Sequence, residues 1–372
     1  MHILFAGGGT AGHINPALAI AGYIREKHPD AHISYIGTPN KLEAKLVPEK
    51  GYNFRTIEVS GFNRSLSPKG LMKNIKALTL AASASVNCAK ILKELEPDVV
   101  VGTGGYVSGP VLREAARLGI KTAIHEQNAY PGVTTKMLAS KVDAVMLAMP
   151  EAEKYMKLKK KPYITGNPVR RELLSITRES ARTALSLDNR PLILSFGGSL
   201  GAKYINLAVE GLIEWHNNTG KFYHIHGTGK SGYKTMLDDF KNKGITLSGE
   251  IDVREYIKNM NECMAAADLV ISRAGAITLS EITAMGKPAI LIPSPYVAEN
   301  HQFHNAMTLK RAGAAEIIEE KDLTADSLIA AVEGLIENKS KLQKMSENAK
   351  KIAITDANER IYEVIMKLYT NA

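Results

Sequence analysis

The stretch HILFAGGGTAGHINPALAIA (2–21) reads as a buried strand, a glycine turn and the opening of a helix. HILFA is a short apolar run without alternation, the pattern of a strand covered on both faces. Gly7, Gly9 and Gly12 then satisfy G-x-G-x-x-G ahead of a helical pattern. A second strand–glycine–helix unit appears as FGGSLGAKYINLAV (196–209). Working outward from these two, further β-branched runs recur at helical intervals. They are HISYIG (32–37), DVVVGT (98–103), KTAIHE (121–126), DAVMLA (143–148), PLILSF (191–196), FYHIHG (222–227), DLVISR (268–273) and PAILIP (288–293). Strands separated by helical lengths imply βαβ units and doubly wound parallel sheets. Two echoing halves predict two α/β domains, and the Lys/Pro/Gly-rich KLKKKPYITGNPVRREL (157–173) marks the boundary, giving domains 1–165 and 166–354. The segment 355–372 carries an amphipathic helix pattern over 357–369 that suits packing on either domain.

Length and composition agree with two domains. At 372 residues and 40.4 kDa the chain exceeds what one ordinary core serves. Apolar residues at 45% and charged residues at 23% exclude a disordered chain. Cys88 and Cys263 lie far apart without metal spacing, which points to a reducing compartment and no disulfide framework. No basic n-region opens the chain, and no run approaches the roughly 18 apolar residues of a spanning helix, so a soluble or peripheral protein is expected. The net charge of +9 is one-sided: residues 1–165 hold 22 Lys and Arg against 13 Asp and Glu, whereas 166–372 hold 25 of each. Such a field suits phosphate, nucleic acid or an anionic membrane face, or is simply a soluble basic surface.

The first glycine loop invites a dinucleotide reading, which requires an acid at the end of the second strand to hold a ribose. That strand ends Ile36-Gly37-Thr38, and the nearest acid, Glu43, belongs to a later helical pattern, so a nicotinamide enzyme is disfavoured. His13 follows the loop at a helix start, at the mouth of the sheet, where an imidazole serves as a proton acceptor or as a polar cap. GTGGYVSGP (102–110) is a second such loop, and GGSLG (197–201), with the Ser199 hydroxyl, a third; helix starts of this kind bind phosphate through backbone N–H groups. In ADLVISRAGAITLSEITAMGKPAILIP (267–293) a strand runs into Arg273-Ala274-Gly275-Ala276 and a helix opens, fitting a diphosphate at its amino end. Glu281, one turn in, suits two ribose hydroxyls or is an ordinary first-turn glutamate. The polar loop PSPYVAENHQFHNA (293–306) suits sugar hydroxyls. Its histidines lack a third ligand at metal spacing, and there is no Asp-x-Asp element for Mg²⁺, so neither a metal nor a cofactor is expected.

Taken together and in order, GGGTAGHINPALAIA, GTGGYVSGP, HEQNAYPG (125–132), GNPVR (166–170), GGSLGA and the RAGAITLSE to ENHQFHNA stretch resemble the MurG family. Its members are UDP-N-acetylglucosamine transferases that convert lipid I to lipid II in bacterial peptidoglycan synthesis. The resemblance covers almost the whole chain. It implies a GT-B fold, two Rossmann-like domains facing a cleft, with the last helix returning to the first domain. The second domain would hold UDP-N-acetylglucosamine and the first the lipid-linked acceptor. By motif position, Glu281 would bind the ribose and Ile257 the uracil through its backbone. Ser199 and Ala276, Ile277, Thr278, Leu279 and Ser280 would lie at the diphosphate, with Arg170 near it. Thr10, Ala11, Gly12, Asn128 and Gln302 would contact the donor sugar side, and Gly104, Gly105 and Tyr106 the acceptor pyrophosphate. His13 is the candidate base, with Glu126 and Tyr106 as alternative or supporting groups. Ala11 and His301 stand where the family more commonly has glycine and glutamine.

The same resemblance implies inverting transfer to the muramyl 4-hydroxyl, and a peripheral place on the cytoplasmic face of the cell membrane. Expected partners are the sugar nucleotide, lipid I in an anionic leaflet, and cell-wall synthesis and division proteins, with no nucleic acid. In 71–92, Leu71, Ile75, Leu78, Ala82 and Val86 share a helical face flanked by Lys69, Lys73 and Lys76, which reads as a membrane patch or as a crossover helix packed on its own sheet. The rivals are another GT-B enzyme, such as a UDP-N-acetylglucosamine 2-epimerase or a glycolipid synthase, and a nucleotide-binding scaffold without turnover.

Overall fold

The computed structural model describes residues 1–59, 83–198, 200–217 and 219–371. They form two compact units, Met1–Pro168 with Asp356–Ala372, and Val169–Thr355. Each unit is built on one all-parallel sheet. The first holds β1 (His2–Gly7), β2 (His32–Gly37), β3 (Asn53–Thr56), β4 (Val99–Gly104), β5 (Lys121–Glu126), β6 (Ala144–Leu147) and β7 (Tyr163–Ile164), in the order β3-β2-β1-β4-β5-β6-β7. The second holds β8 (Leu192–Phe196), β9 (Tyr223–Gly227), β10 (Ile251–Arg254), β11 (Leu269–Ser272), β12 (Ala289–Leu291) and β13 (Ala315–Ile317), in the order β10-β9-β8-β11-β12-β13. Both orders reverse beside the first strand of the sheet, the arrangement in which ligands sit beyond the carboxyl ends of the strands. The expected α/β class, two Rossmann-like parallel-sheet domains, is the observed one.

Side-chain alternation on β1 divides the first core into two layers. Ile3 and Phe5 pack with Ala17, Ile20 and Ile24 of the helix Ala11–Lys27 and with Ile361, Val364 and Ile365 of the helix Ala357–Tyr369. Leu4 and Ala6 pack on the other face with Val107, Val111 and Ala115 of the helix Gly105–Arg117 and with Cys88 and Leu92. Each fully buried aliphatic side chain here contributes about 1.5–3 kcal/mol. The last helix is therefore part of the first unit. His28 Nε2 lies 2.7 Å from the Tyr362 hydroxyl and the two rings stack at 5.8 Å, fastening it there.

Residues 83–95 are helical, with Ala84, Cys88 and Leu92 buried at four-residue spacing and Val86 71% exposed. This portion is a crossover helix packed on its own sheet. Leu71, Ile75, Leu78, Ala82 and the flanking Lys69, Lys73 and Lys76 lie outside the described residues. Among the described residues no helix is long and apolar enough to cross a membrane.

The second unit buries a histidine cluster. The Ser195 hydroxyl on β8 lies 2.7 Å from His224 Nε2 and from His226 Nδ1 on β9. His216 stacks on Phe222 at 4.1 Å. Burial lowers all three, His216 and His226 from 6.5 to about 4, so the rings are neutral near pH 7. Between pH 6.5 and about 4 the unfolded chain binds protons that the folded one does not. Stability should therefore fall as pH drops through that window, by about 1.4 kcal/mol per pH unit for each histidine. The single tryptophan, Trp215, has its ring 6.3 Å from Phe222 and reports on this cluster. Its fluorescence should show a lower urea midpoint at pH 5 than at pH 8; equal midpoints would contradict the account.

Candidate functional site

In the first unit the turns after β1 and β4 meet at the reversal of the sheet. The first leads through Gly7–Gly9 into the helix Ala11–Lys27, whose N-cap is Thr10 (φ −142°, ψ 154°). The second passes through Gly104 and Gly105, with φ of +104° and +75°, into the helix Gly105–Arg117. A methyl on Gly105 would overlap the Gly8 carbonyl oxygen, and one on Gly104 would lie 2.7 Å from His13 Nδ1. Only glycine fits both the positive φ and the contact. This approach brings His13, Gly104, Gly105 and Tyr106 into one neighbourhood. His13 Nδ1 lies 3.1 Å from the Thr103 carbonyl, and the Thr103 hydroxyl donates to the His13 carbonyl at 2.7 Å.

The Tyr106 ring lies against Gly9, and its hydroxyl is pushed above the usual phenol range by burial and then by the Glu43 carboxylate. The Gly104 N–H is already used, donating to the Ser108 hydroxyl at 3.0 Å. Thr10, Ala11 and Gly12 are exposed at the start of their helix, where backbone N–H groups and the dipole favour an anion. Glu126 is 2% exposed. Its carboxylate accepts from the Asn128 N–H at 3.1 Å, the Asn128 side-chain amide at 3.0 Å and the Gly132 N–H at 3.0 Å. Glu126 and Asn128 are thus joined, and the carboxylate shapes the 127–132 turn.

Glu43 has a role that spacing did not show. It is fully buried and accepts from the Thr38 N–H at 3.1 Å, the Thr38 hydroxyl at 2.7 Å and the Gly9 N–H at 3.3 Å. A helical glutamate is ordinarily solvated. This one is accommodated because Gly8 and Gly37 present no side chains to it; a methyl on Gly37 would come within 2.6 Å of its Cγ. The glycines were legible in the sequence, and what they make room for was not.

In the second unit the loop after β8 is fixed by backbone contact with the loop after β9. Gly201 and Gly229 have φ of +81° and +74°, and a methyl on Gly201 would overlap the Thr228 carbonyl. Asn206 donates to that carbonyl at 2.9 Å. Ser199, in this loop, lies outside the described residues.

The helix Ala276–Ala284 starts after β11 from Gly275, which has no side chain to occupy the first N–H groups, and it has no acid in its first turn. Ala276, Ile277, Thr278 and Ser280 open that helix; Leu279 is fully buried and offers only backbone. Glu281, one turn in, pairs with Arg170, whose Nε and guanidinium NH2 lie 2.9 Å and 2.8 Å from Oε1. Burial raises the Glu281 carboxyl and Arg170 partly offsets this. The Ile257 side chain packs over Gly227 at the end of β9. The Gln302 side-chain carbonyl accepts from the Ser294 N–H at 2.9 Å. Buried Asn305 donates to the Ala274 carbonyl at 3.2 Å, tying the helix His301–Arg311 to the loop before Ala276. Asn300, at its N-cap, is left-handed (φ 49°, ψ 32°), as is Glu299 before it (φ 56°); such pairs persist where surrounding contacts hold them. Among the described residues no group of three or more His, Cys, Asp or Glu is placed to hold a metal ion.

Two doubly wound parallel sheets, each with glycine-started helices at the carboxyl ends of its strands, are the two halves of a GT-B fold, the architecture used by nucleotide-sugar glycosyltransferases. The glycosyltransferase family 28 N-terminal domain matches residues 3–147 and the family 28 C-terminal domain residues 192–361. A relative from Acetivibrio thermocellus, named UDP-N-acetylglucosamine–N-acetylmuramyl-(pentapeptide) pyrophosphoryl-undecaprenol N-acetylglucosamine transferase, is 48% identical over 372 residues, covering 100% of this chain and 99% of its own. A relative of the same name from Ruminiclostridium cellulolyticum is 46% identical, covering 99% of this chain and 100% of its own. The crystal structure of Acinetobacter baumannii MurG superposes with a TM-score of 0.80 at 27% identity, covering 98% of this chain and 99% of that one. The chain belongs to glycosyltransferase family 28, within the family of N-acetylmuramyl-(pentapeptide) pyrophosphoryl-undecaprenol N-acetylglucosamine transferases.

Replacing Glu43 by alanine strands the two buried Thr38 donors and frees the Gly9 N–H, and should cost about 2–3 kcal/mol. Urea denaturation of Glu43→Ala checks this, and a loss below about 0.5 kcal/mol would show that the carboxylate does not hold the loop.

Proposed function

We infer that this chain transfers N-acetylglucosamine from UDP-N-acetylglucosamine to the 4-hydroxyl of a lipid-linked N-acetylmuramyl-pentapeptide pyrophosphate, giving lipid II. The observation that carries this reading is the 48% identity, end to end, with a relative named for that reaction. The local chemistry of each unit agrees with it.

The acceptor hydroxyl is a weak nucleophile and needs a base. His13 takes its proton as the oxygen attacks the anomeric carbon, the bond to the diphosphate breaks, and UDP leaves with the electron pair. In-line displacement inverts the donor α linkage to β. Charge growing on the diphosphate meets the N–H groups at the start of the helix Ala276–Ala284, assisted by Arg170 and Ser199. Glu281 binds the ribose hydroxyls, and Ile257 presents backbone to the uracil. Thr10 to Gly12, Asn128 and Gln302 hold the donor sugar. The start of the helix Gly105–Arg117, with Gly104, Gly105 and Tyr106, holds the acceptor pyrophosphate. Glu126 acts through the turn it shapes, because its carboxylate is taken up by that turn's N–H donors. The basic excess of residues 1–165 draws this unit to an anionic cytoplasmic leaflet, each nearby Lys or Arg contributing about 1 kcal/mol. Peripheral attachment there places the enzyme beside other cell-wall synthesis and division proteins.

Supplied with UDP-N-acetylglucosamine and the lipid-linked acceptor, the protein should release UDP only when the acceptor is present. Folded protein with no acceptor-dependent release sinks the assignment, and conversion of the sugar nucleotide without acceptor would mark an epimerase. His13→Ala should lower kcat by about a hundredfold or more with UDP affinity unchanged. Glu281→Ala should instead weaken UDP binding by about 1–3 kcal/mol. Near-full turnover in His13→Ala would move the base elsewhere.

A further inference from the structure

His13 meets two buried side chains, Gln127 and His125, that the reaction scheme leaves unused. Its Nδ1 faces two oxygens, the Thr103 carbonyl at 3.1 Å and the Gln127 side-chain carbonyl at 3.2 Å. The Gln127 amide nitrogen faces the carbonyls of Thr103 and His125, both at 3.0 Å, and His125 Nδ1 at 3.0 Å. His125 Nε2 in turn lies 2.9 Å from the Gly166 carbonyl. Gln127 and His125 are 2% and 0% exposed.

The proton positions along this chain follow from which atoms accept and which donate. A carbonyl only accepts, so His125 Nε2, against Gly166, carries hydrogen. Burial holds His125 neutral, lowering it from its ordinary range, so its Nδ1 is a lone pair and accepts from Gln127. Turning the Gln127 amide over would set its oxygen against two carbonyls and that lone pair, so the NH2 group stays where it is. The Gln127 oxygen then faces His13 Nδ1, and with the Thr103 carbonyl it leaves that nitrogen no role but donor. Neutral His13 therefore has its hydrogen on Nδ1 and its lone pair on Nε2.

We propose that Gln127, oriented by His125, is a positioning residue that fixes His13 as the Nδ1–H tautomer so that Nε2 receives the acceptor hydroxyl proton. The proposal rests on the reading of His13 as the base. In the transfer step the hydroxyl proton passes to Nε2, the oxygen–carbon bond forms, and the bond to the diphosphate breaks with UDP as leaving group. The imidazolium so formed keeps both acceptors on Nδ1–H, which strengthen as the ring becomes charged.

The test is a long-range ¹⁵N–¹H correlation spectrum of the full chain labelled in its histidine rings, at pH 8, with the His13 signals assigned by their loss in His13→Gln. Wild-type protein should show Nδ1 protonated and Nε2 bare at His13. An Nε2–H ring overturns the proposal, whatever the transferase assay shows. Gln127→Met removes both polar atoms at similar volume. With the Thr103 carbonyl still facing Nδ1 at 3.1 Å, it should raise the share of the Nε2–H form of His13 and lower kcat by about tenfold or more. The KM for UDP-N-acetylglucosamine should stay within about twofold. Unchanged tautomer and unchanged kcat in folded Gln127→Met overturn the proposal. If Gln127→Met does not fold, the wild-type spectrum still decides. A wild-type protein with the expected tautomer and no transferase activity keeps the positioning role and removes the function; an active enzyme with the opposite tautomer does the reverse.

Discussion

The first unit depends on one close approach of backbone to backbone, Gly105 against the Gly8 carbonyl, where the sheet reverses between β1 and β4. Any side chain at 105 would hold the two turns apart. With the side chain absent, two helices start side by side, Tyr106 lies over Gly9, and His13 comes within reach of Thr103 and Gln127. The buried Glu43 carboxylate secures the outer side of the same turn. The second unit uses its glycines differently. There the contact joins the loops after β8 and β9, neighbours on one side of the reversal, and the helix Ala276–Ala284 starts independently from Gly275. The two glycine units look like a repeat along the chain, yet their packing serves different ends.

Each strand visible as an apolar run in the sequence is present, and those not visible are β3, β7, β10 and β13. These are the outer strands of the two sheets. An interior strand is buried on both faces and flanked on both sides, so it carries a continuous aliphatic run, as in the Val99–Val101 stretch of VVVGTG. An edge strand needs to be apolar only where it meets the layer beneath, and NFRT or AEI carries too little periodicity to separate from a loop. Among the described residues, the strands that the sequence left unannounced are therefore confined to the margins of the sheets.

The site was legible in its backbone and less so in its side-chain partners. Glycine loops after strands, and helix starts without acids, announce places for anions because the relevant groups are main-chain N–H groups set by local conformation. Carboxylates are different: their use depends on which donors the folded chain brings to them. Glu126 is claimed by donors two and six positions on, Glu281 by Arg170 more than a hundred positions away, and Glu43 by a turn on another strand. A motif identifies such a residue without saying whether it meets a substrate or holds a loop.

The helix Ala357–Tyr369 carries Ile361, Val364 and Ile365 into the layer that also holds Ile3, Phe5 and Ile20. The unit containing the amino terminus therefore lacks one wall of its core until almost the whole chain has been synthesised. The unit formed by Val169–Thr355 is by then complete in sequence. On the ribosome the order of completion reverses the order of synthesis. The nascent first sheet must wait with Ile3 and Phe5 only partly covered, while the second closes around its own core. Truncation near the carboxyl end would thus damage the half of the protein farthest from it in sequence.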